Sequence, residues 1–346
     1  MLEKLFGKKA LTIETMPKVE LHRHLEGSLR VSTLIDIARQ HSITVPTSLM
    51  RLSTLVQVQR EEPYNFENFL AKFNTLRLFY RSPEVIHRVT QEAVEDAAKD
   101  NVRYMELRFT PVALSRAERF PLADVVDWVC ESTLEASRKF GIKVKLIPSV
   151  NRHESVELAE QVAWLSAAKM DYGIVGLDLA GNEAQFPAEP FIGIFREARQ
   201  SGLKVAVHAG EWGGPENIRQ AIDQFEADRI GHGVRVLEDE YTVSLARDRQ
   251  TCFEVCVTSN FQTGVVKELA QHPLKKMIDA GLNVTLNTDD PSISQITLSN
   301  EYKVAEETLG LSRETVQNCI LAAARSSFLQ EPEKLKLVEQ LDRQFR

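Results

Sequence analysis

The sequence predicts an α/β fold, a (β/α)8 TIM barrel with extra helices between its first and second strands. Two observations carry this expectation. Eight short apolar runs alternate with longer amphipathic stretches, and ionisable residues gather where the runs end. The runs are Val19–Leu25, Val102–Phe109, Lys143–Val150, Ile174–Leu179, Lys204–His208, Arg229–Val234, Thr251–Val257 and Asn283–Thr288. Each is brief, rich in β-branched residues and closed by polar ones, as a strand buried on both faces would be. Alternation with helical patterns argues for βαβ units and a parallel sheet. Eight runs favour a closed barrel over an open sheet, although periodicity alone does not decide between them.

Taken in order, the first run is followed by a stretch, residues 26–101, too long for a single crossover helix. It carries Phe66, Phe69, Leu70, Phe73, Leu76, Phe79 and Tyr80 at helical spacing. Two compatible readings stay open: helices packed on the core, or a lid over a pocket at the barrel mouth. Pro83–Asp100 reads as a helix with Val85, Ile86, Val89, Ala93, Val94 and Ala97 on one face. Leu122–Phe140 and Val156–Lys169 read the same way, and Leu311–Arg346 reads as helices closing the barrel. No repeat, low-complexity segment or linker intervenes, so residues 1–346 are read as one domain.

Apolar residues make up 43% of the 346-residue chain, enough for a large core. The net charge is −7 and the basic residues are dispersed, which argues against nucleic acid as a partner. The four cysteines, Cys130, Cys252, Cys256 and Cys319, form no CxxC pair and no disulfide framework, as in a reducing compartment. Cys252 and Cys256 are expected on one face of a strand as buried filler. Residues 1–9 lack the apolar core of a signal peptide. No run approaches the roughly 18 apolar residues of a membrane span. A cytoplasmic protein with no membrane partner is expected.

The chemistry lies at the ends of the runs. The first ends in His22-Arg23-His24-Leu25-Glu26-Gly27, the fourth in Asp178-Leu179-Ala180-Gly181-Asn182-Glu183, and the fifth in His208-Ala209-Gly210-Glu211. The sixth carries Gly231-His232-Gly233, the seventh ends in Thr258-Ser259-Asn260, and the eighth in Asn287-Thr288-Asp289-Asp290-Pro291. A parallel barrel brings these ends into one mouth. His22 and His24, two apart on a strand, face the same side and can share a metal ion; taken singly, each would read as an ordinary histidine. His208 and Asp289 complete a three-imidazole, one-carboxylate set that suits zinc, with iron, cobalt and nickel left open. Glu211 reads either as a surface residue before the helix start at Pro215 or as a pocket carboxyl that keeps its proton and donates it. His232 reads as a packed core histidine or as a group facing the attacking water. Asp290, beside a ligand, is free to grip a substrate ring nitrogen; the alternative is a helix cap. Gly181 reads as a turn glycine or as a backbone donor to substrate.

In this order and with these gaps, His22-Arg23-His24-Leu25-Glu26-Gly27, His208-Ala209-Gly210-Glu211, Gly231-His232-Gly233 and Asn287-Thr288-Asp289-Asp290-Pro291 resemble the adenosine and adenine deaminase family of metal-dependent hydrolases. The resemblance covers about residues 13–330. It implies one Zn2+ per subunit on His22, His24, His208 and Asp289, with His24 also at the substrate. It implies Glu211 as proton donor to purine N1 and His232 as the group that orients and helps deprotonate the attacking water. It implies Asp290 at N7 and the Gly181 amide at N3. Water would replace the 6-amino group of a purine nucleoside, adenosine or 2′-deoxyadenosine, releasing ammonia, a step of purine salvage. The H-x-E and P-C-x-x-C pattern of the other zinc deaminases is absent.

Two residues depart from the adenosine branch: Asn182 mildly, where an acidic pair usually follows the glycine, and Glu26 more. Glu26 stands where that branch usually has Asp reaching the ribose 5′-hydroxyl. Glu there resembles the adenine branch, or a branch taking a 5′-substituted nucleoside such as aminodeoxyfutalosine. A phosphoesterase would need more ligands and cationic phosphate contacts. A non-catalytic purine-binding protein would be expected to lose ligands or the acid.

Overall fold

The structure is a computed structural model that describes residues 11–346, so the signal-peptide reading of residues 1–9 lies outside the described residues. Eight strands, β1 (Lys18–His24), β2 (Val102–Phe109), β3 (Lys143–Asn151), β4 (Gly176–Ala180), β5 (Lys204–Ala209), β6 (Arg229–His232), β7 (Cys252–Val255) and β8 (Asn283–Leu286), lie side by side in chain order. Every adjacent pair is parallel. The seam between β8 and β1 is closed beyond the end of β8. Asp289 N–H donates to the His22 carbonyl (2.9 Å), His24 N–H donates to the Asp289 carbonyl (2.8 Å), and Leu21 N–H donates to Asn287 Oδ1 (2.9 Å). The barrel is therefore complete, a (β/α)8 architecture.

Local chemistry explains the helices between the strands. Pro83–Lys99 starts where the Ser82 side chain accepts from Val85 N–H and Pro83 occupies the first turn, and it buries the apolar face read from its sequence. Leu122–Phe140 stops at Gly141, whose φ of +68° closes the last turn. Val156–Ala168 starts on the Ser155 side chain in the same manner as Ser82. The helix Arg313–Ser326 packs on β8 and β1, and Glu331–Phe345 packs on it, closing the barrel's outside.

The barrel interior is charged as well as apolar. Glu106 and Arg108 alternate on β2, two apart and therefore inward together, and both are fully buried. Glu254 on β7 accepts from Arg108 Nη2 (2.5 Å) and from Arg229 Nε of β6 (2.5 Å); Arg229 also pairs with Glu106. Buried charges persist only when paired in this way.

The long insertion holds the helices Val31–Gln40, Leu49–Val56 and Phe66–Leu76, then a short turn Arg77–Phe79. Leu76, Phe79 and Tyr80 are core residues, whereas Phe66, Leu70 and Phe73 line the cavity at the C-terminal ends of the strands. The segment thus does both things the sequence left open: it packs on the core and it roofs the pocket. One expectation is corrected. Cys252 lies on β7, but Cys256 lies past its end, where the chain turns into the helix Val257–Gln262, so the two do not share a strand face. Both are buried and free. Among the described residues no helix is long and apolar enough to cross a membrane.

Candidate active site

The C-terminal ends of the strands enclose a cavity of about 480 Å³, lined by His24, Glu26, Gly181, His208, Glu211, His232, Asp289 and Asp290 together with Phe66, Phe69 and Trp212. Every site residue anticipated from the sequence faces this cavity, apart from His22, which lies directly beneath it. Phe66 and Trp212 stack across its mouth at 5.3 Å between ring centres.

At the floor, one ligand atom from each of His22, His24, His208 and Asp289 lies within 4.8 Å of the others. His24 Nε2 is 3.2 Å from His22 Nε2 and 3.3 Å from His208 Nε2, and Asp289 Oδ1 is 3.2 Å from His22 Nε2. Ligands at tetrahedral zinc sit about 3.3 Å apart, so this donor set fits such an ion. The outer groups fit as well. Glu254 Oε2 lies 2.8 Å from His22 Nδ1, and Asp178 Oδ1 lies 3.0 Å from His208 Nδ1. A carboxylate there holds the proton on Nδ1 and leaves the Nε2 lone pair for a cation. Ser259 Oγ–H donates to Asp289 Oδ2 (2.7 Å), which turns Oδ1 toward the histidines. Burial pulls the His24 imidazole down to about 3, so it is neutral and able to ligate.

The backbone is forced into place here. Asp289 (φ +63°) and His232 (φ +61°) occupy the left-handed region, which costs a non-glycine residue of order 1–3 kcal/mol. Gly231 is required by close approach: a Cβ on it would stand 2.9 Å from His22 Cε1 and 3.2 Å from His208 Cγ.

Around this floor stand groups that can give protons. Glu211 is buried, and burial followed by the charges of Asp289 and Glu183 raises its carboxyl well above the usual range, which favours the protonated form. Its turn is held by Glu183, which accepts from the backbone N–H groups of Gly210 (3.0 Å), Glu211 (2.6 Å) and Trp212 (2.8 Å). Asp290 is raised in the same way, by burial and then by Asp289. Asp289 goes the opposite way. Burial alone would raise it, but the His22 hydrogen bond and the surrounding imidazoles hold it well below the carboxylate range. Asp290 sits at the start of the short helix Pro291–Ser294, yet its side chain makes no cap hydrogen bond. Asp290 Oδ1 and Glu26 Oε2 are buried cavity-lining oxygens without a partner among the described residues. Gly181 turns the chain at φ +94° and lines the cavity wall. His232 Nε2 is 3.6 Å from Glu211 Oε2.

Several residues that shape the site did not stand out in the sequence: Glu254, Arg108 and Asp178 behind the ligands, Glu183 behind Glu211, and Gly27 against Asp290. Glu254 and Arg108 had a visible signal, a charge inside an apolar strand at the spacing that points inward. Their partners come from distant strands, and no local pattern shows that.

Comparison with known proteins agrees with this geometry. The adenosine deaminase family profile matches residues 17–344. An adenosine deaminase of Shigella flexneri is 39% identical over 328 residues, covering 94% of this chain and 98% of the relative. Among solved structures, the adenine deaminase of Arthrobacter aurescens superposes with a TM-score of 0.88 at 27% identity, covering 95% of this chain and 98% of its own. An amidohydrolase of Burkholderia ambifaria with bound Zn also gives 0.88, at 25% identity, over 98% and 94%. The chain belongs to the adenosine deaminase family, hydrolases that act on C–N bonds.

Proposed function

We propose that this protein hydrolyses the 6-amino group of adenosine and 2′-deoxyadenosine, giving inosine or deoxyinosine and ammonia, with one Zn2+ held by His22, His24, His208 and Asp289. The observation that carries the reading is Glu211, a buried carboxyl raised above the usual range that lines the cavity beside the four-ligand cluster. A 6-aminopurine offers acceptors at N1, N3 and N7. The cavity offers three donors: the Glu211 carboxyl for N1, the Gly181 amide for N3 and the neutral Asp290 carboxyl for N7. Protonation of N1 makes C6 electrophilic, so Glu211 supplies the general-acid step. A bound zinc ion supplies Lewis acidity that activates water. His232 faces that water, His24 borders both metal and substrate, and the Phe66, Phe69 and Trp212 side chains exclude bulk solvent.

A single continuous core running from Ile13 to Leu341 supports treating the chain as one catalytic domain. The free, buried thiols support a cytoplasmic setting, and the proposed reaction itself would belong to purine salvage.

A second reading rests on Glu26. Its Oε1 accepts from Thr110 N–H (2.5 Å), its Oε2 has no partner, and burial raises its carboxyl. Arg77 lines the same end of the cavity. This end suits free adenine or a 5′-substituted adenosine as well as a ribose hydroxyl. The test is ammonia release by zinc-loaded protein from adenosine, 2′-deoxyadenosine, adenine and a 6-amino nucleoside with a bulky 5′ group. Adenosine turnover at kcat/KM of about 10⁴ M⁻¹s⁻¹ or more supports the first reading. Fast turnover of another compound with slow adenosine moves the assignment to that compound. No turnover by protein that holds its metal overturns the hydrolytic reading itself.

A further inference from the structure

Behind His232 runs a chain of buried polar groups that no ligand role explains. Leu274 N–H donates to His272 Nδ1 (3.1 Å); His272 Nε2 lies 3.3 Å from Asn260 Oδ1; Asn260 Nδ2 lies 3.1 Å from His232 Nδ1. His272 and Asn260 are both buried, so each contact is made without water to offer an alternative.

A backbone amide can only donate, and this fixes the direction of the whole chain. His272 Nδ1 accepts from Leu274 and so carries no proton; a neutral ring must then carry it on Nε2. Burial pulls the His272 imidazole down to about 3, which keeps it neutral. The Nε2–H needs an acceptor, and Asn260 Oδ1 is in place. The amide of Asn260 is thereby oriented, and its Nδ2–H donates to His232 Nδ1. Flipping Asn260 would set an N–H against the N–H of His272.

We infer that Asn260 and His272 are positioning residues that lock His232 in the tautomer with its proton on Nε2, the nitrogen directed at the cavity and at Glu211. In this form His232 has no free lone pair toward the reacting centre. It acts there as a hydrogen-bond donor, holding the attacking oxygen through a lone pair, and does not remove the proton of the water. This narrows the role of orienting and deprotonating water to orienting alone. Glu211, whose Oε2 lies 3.6 Å from His232 Nε2, is the neighbouring carboxyl that can take the proton of the water once it has given its own to N1. The tautomer assignment stands on geometry; only its catalytic consequence rests on the hydrolytic reading above.

The test begins with nitrogen NMR of the wild-type protein labelled at histidine, with and without Zn2+, using His232→Asn to assign the ring. A protonated Nε2 and bare Nδ1 at His232 support the inference, and a proton on Nδ1 overturns it whatever the activity. The second arm is Asn260→Asp, which accepts from both neighbours and moves the His232 proton to Nδ1. Expected is a fall in kcat of about 10²-fold with KM and zinc content unchanged. His272→Leu should lose the single tautomer and His272→Gln, which can still donate to Asn260, should retain it. An unchanged His232 spectrum and kcat in His272→Leu would overturn the relay. A failed substrate panel with the Nε2–H tautomer intact would instead count against the hydrolytic reading.

Discussion

Gly27 and Asp290 touch so closely that a Cβ on Gly27 would lie 1.9 Å from Asp290 Oδ1 and 2.4 Å from its Cβ. The second distance matters more, because it involves the root of the side chain and no rotation relieves it. Gly27→Ala is therefore expected to push Asp290 out of the position proposed for gripping the purine. Displacement of about 1 Å costs about 10²-fold in kcat/KM. Steady-state kinetics with metal analysis checks this: zinc content should stay unchanged, and a loss of metal would show that the floor moved as well.

Glu211→Gln removes the transferable proton while keeping size and an N–H donor. Turnover should fall 10²- to 10⁴-fold with zinc retained. In the wild type the group works only when protonated. Its carboxyl is raised by burial, then by Asp289 and Glu183. Activity should therefore decline as pH rises through the folded-state value, which lies above the usual carboxylate range. A pH profile of kcat/KM measures this limb, and its absence would exclude Glu211 as the acid.

Glu254 balances two buried arginines and steadies His22. Burial alone would raise its carboxyl, but Arg108 and Arg229 hold it well below the usual range. The stability it lends is present above its unfolded value and disappears as pH falls. Glu254→Gln should destabilise the fold by about 3–5 kcal/mol and weaken zinc binding 10- to 100-fold. Denaturant unfolding and a zinc competition assay give the two numbers separately.

Glu301 accepts from the Thr258 backbone and hydroxyl, and burial raises its carboxyl to about 7 despite those bonds. Its folded-state value exceeds the unfolded one, so the native state binds the proton more tightly. The stability this proton provides is complete below about pH 4 and is lost as pH rises through 7. The linked loss is on the order of 3 kcal/mol. Glu301→Gln should flatten the stability profile between pH 5 and 8, as thermal unfolding across that range would show.

How far the sequence reveals this molecule depends on distance along the chain. The run Val102–Phe109 matches β2 at both ends, paired with β3 in unbroken register from Tyr104 to Phe109 and with β1 across two register shifts. The run Thr251–Val257 is longer than β7, because Cys256 turns the chain and Thr258, Ser259 and Asn260 become helical. The run Asn283–Thr288 outlasts β8 because the Asn287 side chain replaces a backbone partner of Leu21. The four-residue cluster and the cavity position of Glu211 were legible because a barrel mouth collects strand ends, and strand ends are local features. Glu254 behind His22 and Glu183 behind Glu211 were not, because each pairing spans many residues and depends on the tertiary fold.

The closing seam of the barrel has a consequence for biosynthesis. Asp289 completes the ligand set and, through its own backbone, ties the last strand to the first at His22 and His24. A nascent chain exposes its first two imidazoles early, since synthesis runs from the N-terminus, yet it cannot assemble the cluster until residue 289 has left the ribosome. Capture of the ion then coincides with the last joint of the cylinder. A chain cut short before that residue lacks both the fourth ligand and the clasp, so prematurely terminated copies should hold metal less tightly than the finished protein.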